Sequence, residues 1–399
     1  MEREETMSDP KPTVIKVFGL GGGGSNAVNR MIELGLEGVE FLAANTDAQA
    51  LNLSLAPVRV QLGPRGTRGL GAGGKPEVGE AAADESRAEL RAALAGADLV
   101  FLTAGMGGGT GTGAIAIAAE EARAVGALTV AIVTTPFSFE AARRRQNAER
   151  GLEKLRPHVD TLISVPNDKL LPLLGRNTPF ELALRVADEV LRQGVQGIAE
   201  LVGKAGLINV DFAHVQALMK DSGNAMMAIG QGRGGEKAEE AIRQALKMPL
   251  LEIPSLRSAR GVLVHFTGGD DLSLYEVSQA VERVRQFAPQ AEIVFGATHD
   301  PLMTGRAQAI LIVTGLEPAP APAPLAETRA EAPAPAAAPP PAEPPQSGAL
   351  ADALFSRALS GSREDAEPWA VSEPPAADPN NLDVPAFLRR RRSLRDFRA

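Results

Sequence analysis

Residues 105–113, Gly-Met-Gly-Gly-Gly-Thr-Gly-Thr-Gly, set six glycines among nine positions. Lacking a Cβ, such a run lets successive backbone N–H groups approach and point at phosphate oxygens. An apolar run at 97–103 precedes it and reads as a buried parallel strand, while 114–120 is a good helix former whose N-terminus adds partial positive charge at the same spot. Thr110 and Thr112 offer hydroxyl donors. A P-loop would end in a lysine that meets the outer phosphates; none stands here, so the expected phosphate site is built from backbone. A purely structural glycine turn seldom needs six glycines with two interspersed threonines.

Two more loops of this kind follow apolar runs. A strand predicted at 13–18 leads into 19–26, Gly-Leu-Gly-Gly-Gly-Gly-Ser-Asn, and then a helix with Ala27, Met31 and Leu34 on one face. Strands at 39–44, ending at Asn45-Thr46-Asp47, and at 58–62 come next, and the glycine-dense stretch 63–75 separates the latter from a helix predicted over 80–94. Three glycine loops that each follow a strand gather at the carboxyl edge of one parallel sheet, where open α/β sheets bind ligands. Strands at 128–133 and 161–165 extend the alternation to a doubly wound, Rossmann-like sheet with right-handed crossovers. Gly19-x-Gly21-x-x-Gly24 followed by Asp47 also fits a dinucleotide fingerprint. That reading leaves 105–113 unexplained, and no His, Cys or Tyr-Lys arrangement stands out for hydride transfer.

The 399 residues, 44% of them hydrophobic, allow two domains with ample core. Residues 1–12 form a charged, disordered start and 13–177 the ligand-binding domain. Residues 178–205 are a central helix with Leu182, Val186, Val190, Val195 and Ile198 among its apolar positions. In 206–316, helices at 236–247 and 274–287 alternate with strands at 261–266, 291–295 and 309–313, a second α/β domain. Residues 317–379 hold 15 of the chain's 30 prolines and read as a disordered linker. Residues 380–399 carry a short apolar island, 382–388, and then Arg389 to Arg392, Arg395 and Arg398, which reads either as a solvated charge run or as a membrane or partner contact.

With no cysteine, disulfides and thiol chemistry are excluded, and the four histidines are scattered rather than clustered. A net charge of −8 with 4% aromatic residues argues against nucleic-acid binding. No apolar run approaches the ~18 residues of a membrane span, so a soluble cytoplasmic protein is expected.

Gly-Gly-Gly-Thr-Gly-Thr-Gly at 107–113 resembles the signature of the tubulin and FtsZ superfamily, and the chain is similar to the bacterial FtsZ family from about Val14 to Gly315. The likeness takes in Asn26, the loop 67–73, Pro136 with Glu140 and Arg144, Asn167, Asp188 and the stretch Asn209-Val210-Asp211-Phe212-Ala213. Residues 382–390, Leu-Asp-Val-Pro-Ala-Phe-Leu-Arg-Arg, resemble the FtsZ tail peptide. The resemblance implies a GTPase that binds GTP and GDP with Mg²⁺ and polymerises head to tail as the scaffold of the bacterial division ring at mid-cell. It implies contacts to nucleotide from Gly21, Gly22 and Asn26. Ala72 and Gly73 would sense the γ-phosphate, and Gly107, Gly108, Gly109, Thr110 and Gly111 would hold the phosphates. Pro136, Glu140 and Arg144 would stand at the ribose and phosphates, and Asn167 and Asp188 at the guanine edge. A carboxylate suits guanine's N1–H and N2 amino group and repels adenine's acceptor. Leu184 takes the place where the family often has an aromatic ring against the base. The tail peptide, 382–390, would bind membrane-anchor and regulatory division proteins, with membrane contact indirect or weak through the arginines.

The family's activating loop reads Asn-x-Asp-x-x-Asp, and here Asn209 and Asp211 are followed by His214 in place of the second acid. Asp211, which also suits an N-cap of the following helix, would orient the attacking water in a neighbour's site. A neutral His214 can accept a hydrogen bond but supplies no negative charge, and its protonation adds repulsion toward Mg²⁺ or Arg144. Slow or pH-sensitive turnover is expected. A non-hydrolysing structural or regulatory paralogue is the alternative.

Overall fold

The structure is a computed structural model that describes residues 12–174, 178–203, 206–251 and 256–316, all within one compact unit. The expected disorder at the N-terminus through residue 11, the linker 317–379 and the tail 380–399 lie outside the described residues.

Six parallel strands, β1 (Ile15–Leu20), β2 (Glu40–Asn45), β3 (Val58–Gln61), β4 (Leu99–Gly105), β5 (Leu128–Thr135) and β6 (Thr161–Pro166), lie in the order β3-β2-β1-β4-β5-β6. The central strands are largely apolar because both faces are covered, whereas the edge strand β3, with Arg59 and Gln61, is partly exposed. Ile15 and Val17 of β1 join one core with Leu99 and Phe101 of β4, while Phe18 and Leu20 join the other with Val100 and Leu102. Strand order reverses between β1 and β4, the switch point at which such sheets open a crevice at their carboxyl edge. All three glycine loops leave strands at that edge.

The connecting helices are α1 (Gly21–Glu33), α2 (Ala48–Asn52), α3 (Pro76–Glu85), α4 (Arg87–Leu94), α5 (Thr110–Ala124) and α6 (Ala142–Leu155). The single helix expected over 80–94 is two. Ser86 breaks it, its hydroxyl accepting a 3.0 Å hydrogen bond from the Gly63 N–H, so the interruption ties down the loop after β3. Helix α7 (Phe180–Gly203) follows and buries Val186, Val190, Val195 and Ile198 in the first core, the positions expected.

Beyond it come α8 (Phe212–Met219), β7 (Gly223–Arg233), α9 (Lys237–Leu246), β8 (Gly261–Gly268), α10 (Leu274–Phe287), β9 (Glu292–His299) and β10 (Arg306–Leu316). The sheet continues in the order β6-β7-β10-β8-β9, joined by a short parallel pairing of Thr161, Leu162 and Ile163 with Gly223, Asn224 and Ala225. The sequence reading has no strand at β7. Its glycines serve close packing: a Cβ on Gly230 would stand 1.9 Å from the Ala241 carbonyl oxygen and one on Gly232 1.8 Å from that of Lys237, so the α9 backbone lies directly on the strand.

Candidate functional site

Three loops meet at the carboxyl edge. Gly21 opens α1 with φ +69°, and a Cβ there would lie 2.6 Å from the Gly111 nitrogen, so the first and third loops touch backbone to backbone. The second loop closes from the other side. A Cβ on Gly79 would stand 2.4 Å from the Gly109 carbonyl oxygen, and one on Gly109 2.8 Å from the Ala72 Cβ. Gly22, Gly73 and Asn26 are exposed beside this seam, and Gly108 and Thr110 are half-buried in it.

Helix α5 makes its first backbone bond from the Gly113 N–H to the Gly109 carbonyl at 3.0 Å, which leaves Thr110 and Gly111 as N–H donors at a helix N-terminus, a ready anion site. The Thr110 hydroxyl meets that of Thr46 at 2.6 Å. Thr112 departs from expectation: its hydroxyl is buried and accepts the Gly107 N–H at 2.8 Å. Thr112 therefore closes the loop from within, and Gly107 supports the cradle rather than lending its own N–H to it. On α6, the buried Asn147 donates to the Gly107 carbonyl at 3.3 Å and to the Gly74 carbonyl at 3.5 Å.

Of the residues expected at a purine, Asn167 opens the turn after β6 at the carboxyl edge and Asp188 lies in the third turn of α7. Asn167 is 6% exposed, and its Oδ1 has no hydrogen-bond partner among the described residues, an expensive arrangement unless a donor arrives. Burial raises the Asp188 carboxyl to about 7, against the opposing influence of Arg30 and Arg185. Leu184, one turn earlier on α7, is exposed. Following the half-buried Pro136, Glu140 accepts the Phe137 N–H at 2.9 Å and pairs with Arg144 Nε at 3.0 Å. Phe137 and Phe139 stack at 5.0 Å with Phe139 outermost.

Asn209, Asp211 and His214 are not part of this crevice. The far end of α7 rests at the opposite sheet edge, where Gly203 approaches Ile15 at the start of β1. The next loop is joined to β9 by the Ile208–Ala297 bridge. Asn209 Oδ1 accepts the Gly206 N–H, Asp211 caps α8 through the Ala213 N–H at 3.2 Å, and Asp211 and His214 both lie exposed, three residues apart and so on one face.

Sequence reasoning missed Asn147 and the role of Thr46. The signal for Asn147 was weak: it shares the i, i+4, i+8 face of α6 with Gly151 and Leu155, all buried, yet a lone Asn among basic residues reads as surface. Thr46 was visible only as the end of a strand.

Comparisons with known proteins agree with this geometry. Residues 14–175 match the family model for the Tubulin/FtsZ family, GTPase domain, and residues 223–317 that for the FtsZ family, C-terminal domain. The fold is similar to that of an empty FtsZ dimer from M. jannaschii, at 45% identity and TM-score 0.73, covering 77% of this chain and 89% of that one. A mutant of FtsZ from M. jannaschii gives 45% identity and TM-score 0.73, over 76% and 92% of the two chains. CetZ2 from Haloferax volcanii, solved as a GTPγS-bound protofilament, is similar in fold at 22% identity and TM-score 0.65, over 76% and 94%. With two family models spanning most of the described residues and a 45% identical relative, the chain belongs to the FtsZ family of the tubulin/FtsZ GTPases.

Proposed function

We propose that this chain binds GTP at the carboxyl-edge crevice and hydrolyses it only where a second copy, stacked head to tail, brings Asp211 and His214 to the nucleotide. The observation that supports the reading is that α7 carries Asp188 in its third turn, while Asp211 and His214 follow its far end, where Gly203 approaches Ile15. No chain can complete its own site, and repeating a contact that does not close makes a filament.

Exposed apolar side chains support such stacking. Leu70, Phe139 and Leu171 follow β3, β5 and β6 and so surround the nucleotide edge with Leu184, while Leu207 is exposed beside Asp211. The M. jannaschii relative at 45% identity was solved as a dimer. In the assembled site, backbone N–H groups of Gly108, Gly109, Thr110 and Gly111 hold the phosphates, and Glu140 with Arg144 stands at the ribose. Asn167 Oδ1 and Asp188 accept from the guanine edge. Mg²⁺ would be held by phosphate oxygens and water, its ordinary donor set; no cluster of three metal-ligating side chains occurs among the described residues. Bound there it neutralises charge on the γ-phosphate. Asp211 of the neighbour accepts a hydrogen bond from the attacking water and aligns it with the phosphorus, and His214 accepts a second. The tail peptide tethers the filament to a membrane anchor, placing it as a division scaffold in the cytoplasm at mid-cell.

One residue favours a second reading. His214 supplies no negative charge where the family loop has an acid, which fits a paralogue that binds GTP and assembles without turnover. A GTP titration read by light scattering and phosphate release separates the two. Scattering with phosphate supports the GTPase reading, and scattering without phosphate supports the paralogue. Absence of both overturns the proposal.

A further inference from the structure

Gly107 is held from three directions. Its N–H is taken by the Thr112 hydroxyl, its carbonyl by the Asn147 amide, and the space beside its α-carbon, at φ +98°, by the Arg144 carbonyl, 2.6 Å from where a Cβ would sit. In a trans peptide the carbonyl of one residue and the N–H of the next point in opposite directions. A donor on α6 that draws the Gly107 carbonyl toward itself therefore turns the Gly108 N–H away from α6, toward the crevice.

The surroundings fit a residue placed for that task. Asn147 is 8% exposed on a helix whose first turn is otherwise exposed and basic. Gly151, one turn later, brings α6 close, since a Cβ there would lie 2.4 Å from the Thr112 methyl. The same amide reaches the Gly74 carbonyl at 3.5 Å, so one side chain spans two of the three loops. A hydrophobic residue would fill this space equally well; an amide adds two directed donors.

We propose that Asn147 is a positioning residue for the phosphates: it aims the Gly108 N–H at the nucleotide and locks the second loop to the third. The proposal rests on the nucleotide reading of the crevice. On that reading the effect is confined to phosphate, because the base is assigned to Asn167 and Asp188, whereas the Asn147 amide bonds the Gly74 and Gly107 carbonyls of the phosphate loops.

The test is the Asn147→Leu variant of the full chain, near in volume and without donors. Affinities for GDP and for guanosine are measured by competition with a fluorescent GTP analogue. GDP affinity is expected to fall roughly tenfold, the scale of one or two neutral hydrogen bonds, with guanosine affinity unchanged. Equal losses for both ligands, or no loss for either, overturn the positioning role. If the leucine variant does not fold, Asn147→Ala is read in the same way. Failure of the unaltered chain to bind GDP or guanosine would instead remove the nucleotide reading itself, so the two failures are distinguishable.

Discussion

Asp188 lies in the third turn of α7, and Asp211 caps α8 beyond that helix's far end. From Asp188 the helix runs on to Gly203, about 22 Å farther at ~1.5 Å per residue. There it meets Ile15, the residue that starts β1. The rigidity of a buried helix fixes this spacing, and under the proposed function the group that reads guanine and the group that aligns water would serve different copies.

With Asp188 at the guanine edge as proposed, nucleotide binding should depend on pH. Burial raises it to about 7 in the free protein, and guanine's two donors need the ionised form. Affinity for GTP is expected to fall as pH drops below about 7, approaching tenfold per unit, and to level off above it. Asp188→Asn should weaken binding and abolish this slope. Isothermal titration from pH 5.5 to 8.5 checks both.

Two glycines of the same loop should separate folding from binding. A Cβ on Gly113 would stand 2.1 Å from the Pro76 carbonyl oxygen, backbone against backbone, whereas nothing lies within 4 Å of one on Gly108. Gly113→Ala should destabilise the fold by roughly 1–3 kcal/mol. Gly108→Ala should leave thermal stability unchanged and weaken GDP binding, since its methyl occupies ligand space. Melting curves with and without GDP distinguish the two.

The buried His265 should set the acid limb of stability. Burial lowers it from 6.5 to about 4, with Nε2 at 2.8 Å from the Thr298 hydroxyl. Between those values the unfolded chain takes up a proton that the folded chain refuses, so stability is full above 6.5 and falls as pH drops toward 4. The loss approaches about 3 kcal/mol. His265→Asn should flatten this limb, as measured by denaturant midpoints across pH.

Much of this was legible because backbone sites leave glycine in the sequence. The loops at 19–26, 63–75 and 105–113 are unmistakable as turns after strands, and their convergence follows from parallel topology alone. The long helix announces itself through Val186, Val190 and Ile198. What stayed hidden depends on partners distant in sequence. Gly230 and Gly232 look like strand breakers until α9 lies on them, and Thr112 looks like a ligand donor until the Gly107 N–H takes its hydroxyl. Ser86 reads as helix until the Gly63 N–H is found on its side chain. The division of labour between the two ends of α7 came from the family resemblance, not from spacing.

His214→Asp tests whether the histidine limits turnover. With an acid beside Asp211 on the exposed face of α8, phosphate release per filament should rise by about a hundredfold, the lower end of what one transition-state electrostatic contact supplies, while nucleotide affinity stays unchanged. An unchanged rate would place the limit elsewhere.

Complementation between two inactive variants tests the shared site most directly. Asp211→Asn should keep its crevice but lose the acid proposed to align water, and Asp188→Ala should keep Asp211 but bind GTP poorly. Each alone should release little phosphate. Mixed, they should form contacts in which the nucleotide on one variant meets Asp211 of the other, and phosphate release should recover to a substantial fraction of the unaltered rate. A mixture no more active than its parts, although both variants enter the same pelleted filaments, would contradict a site completed between neighbours.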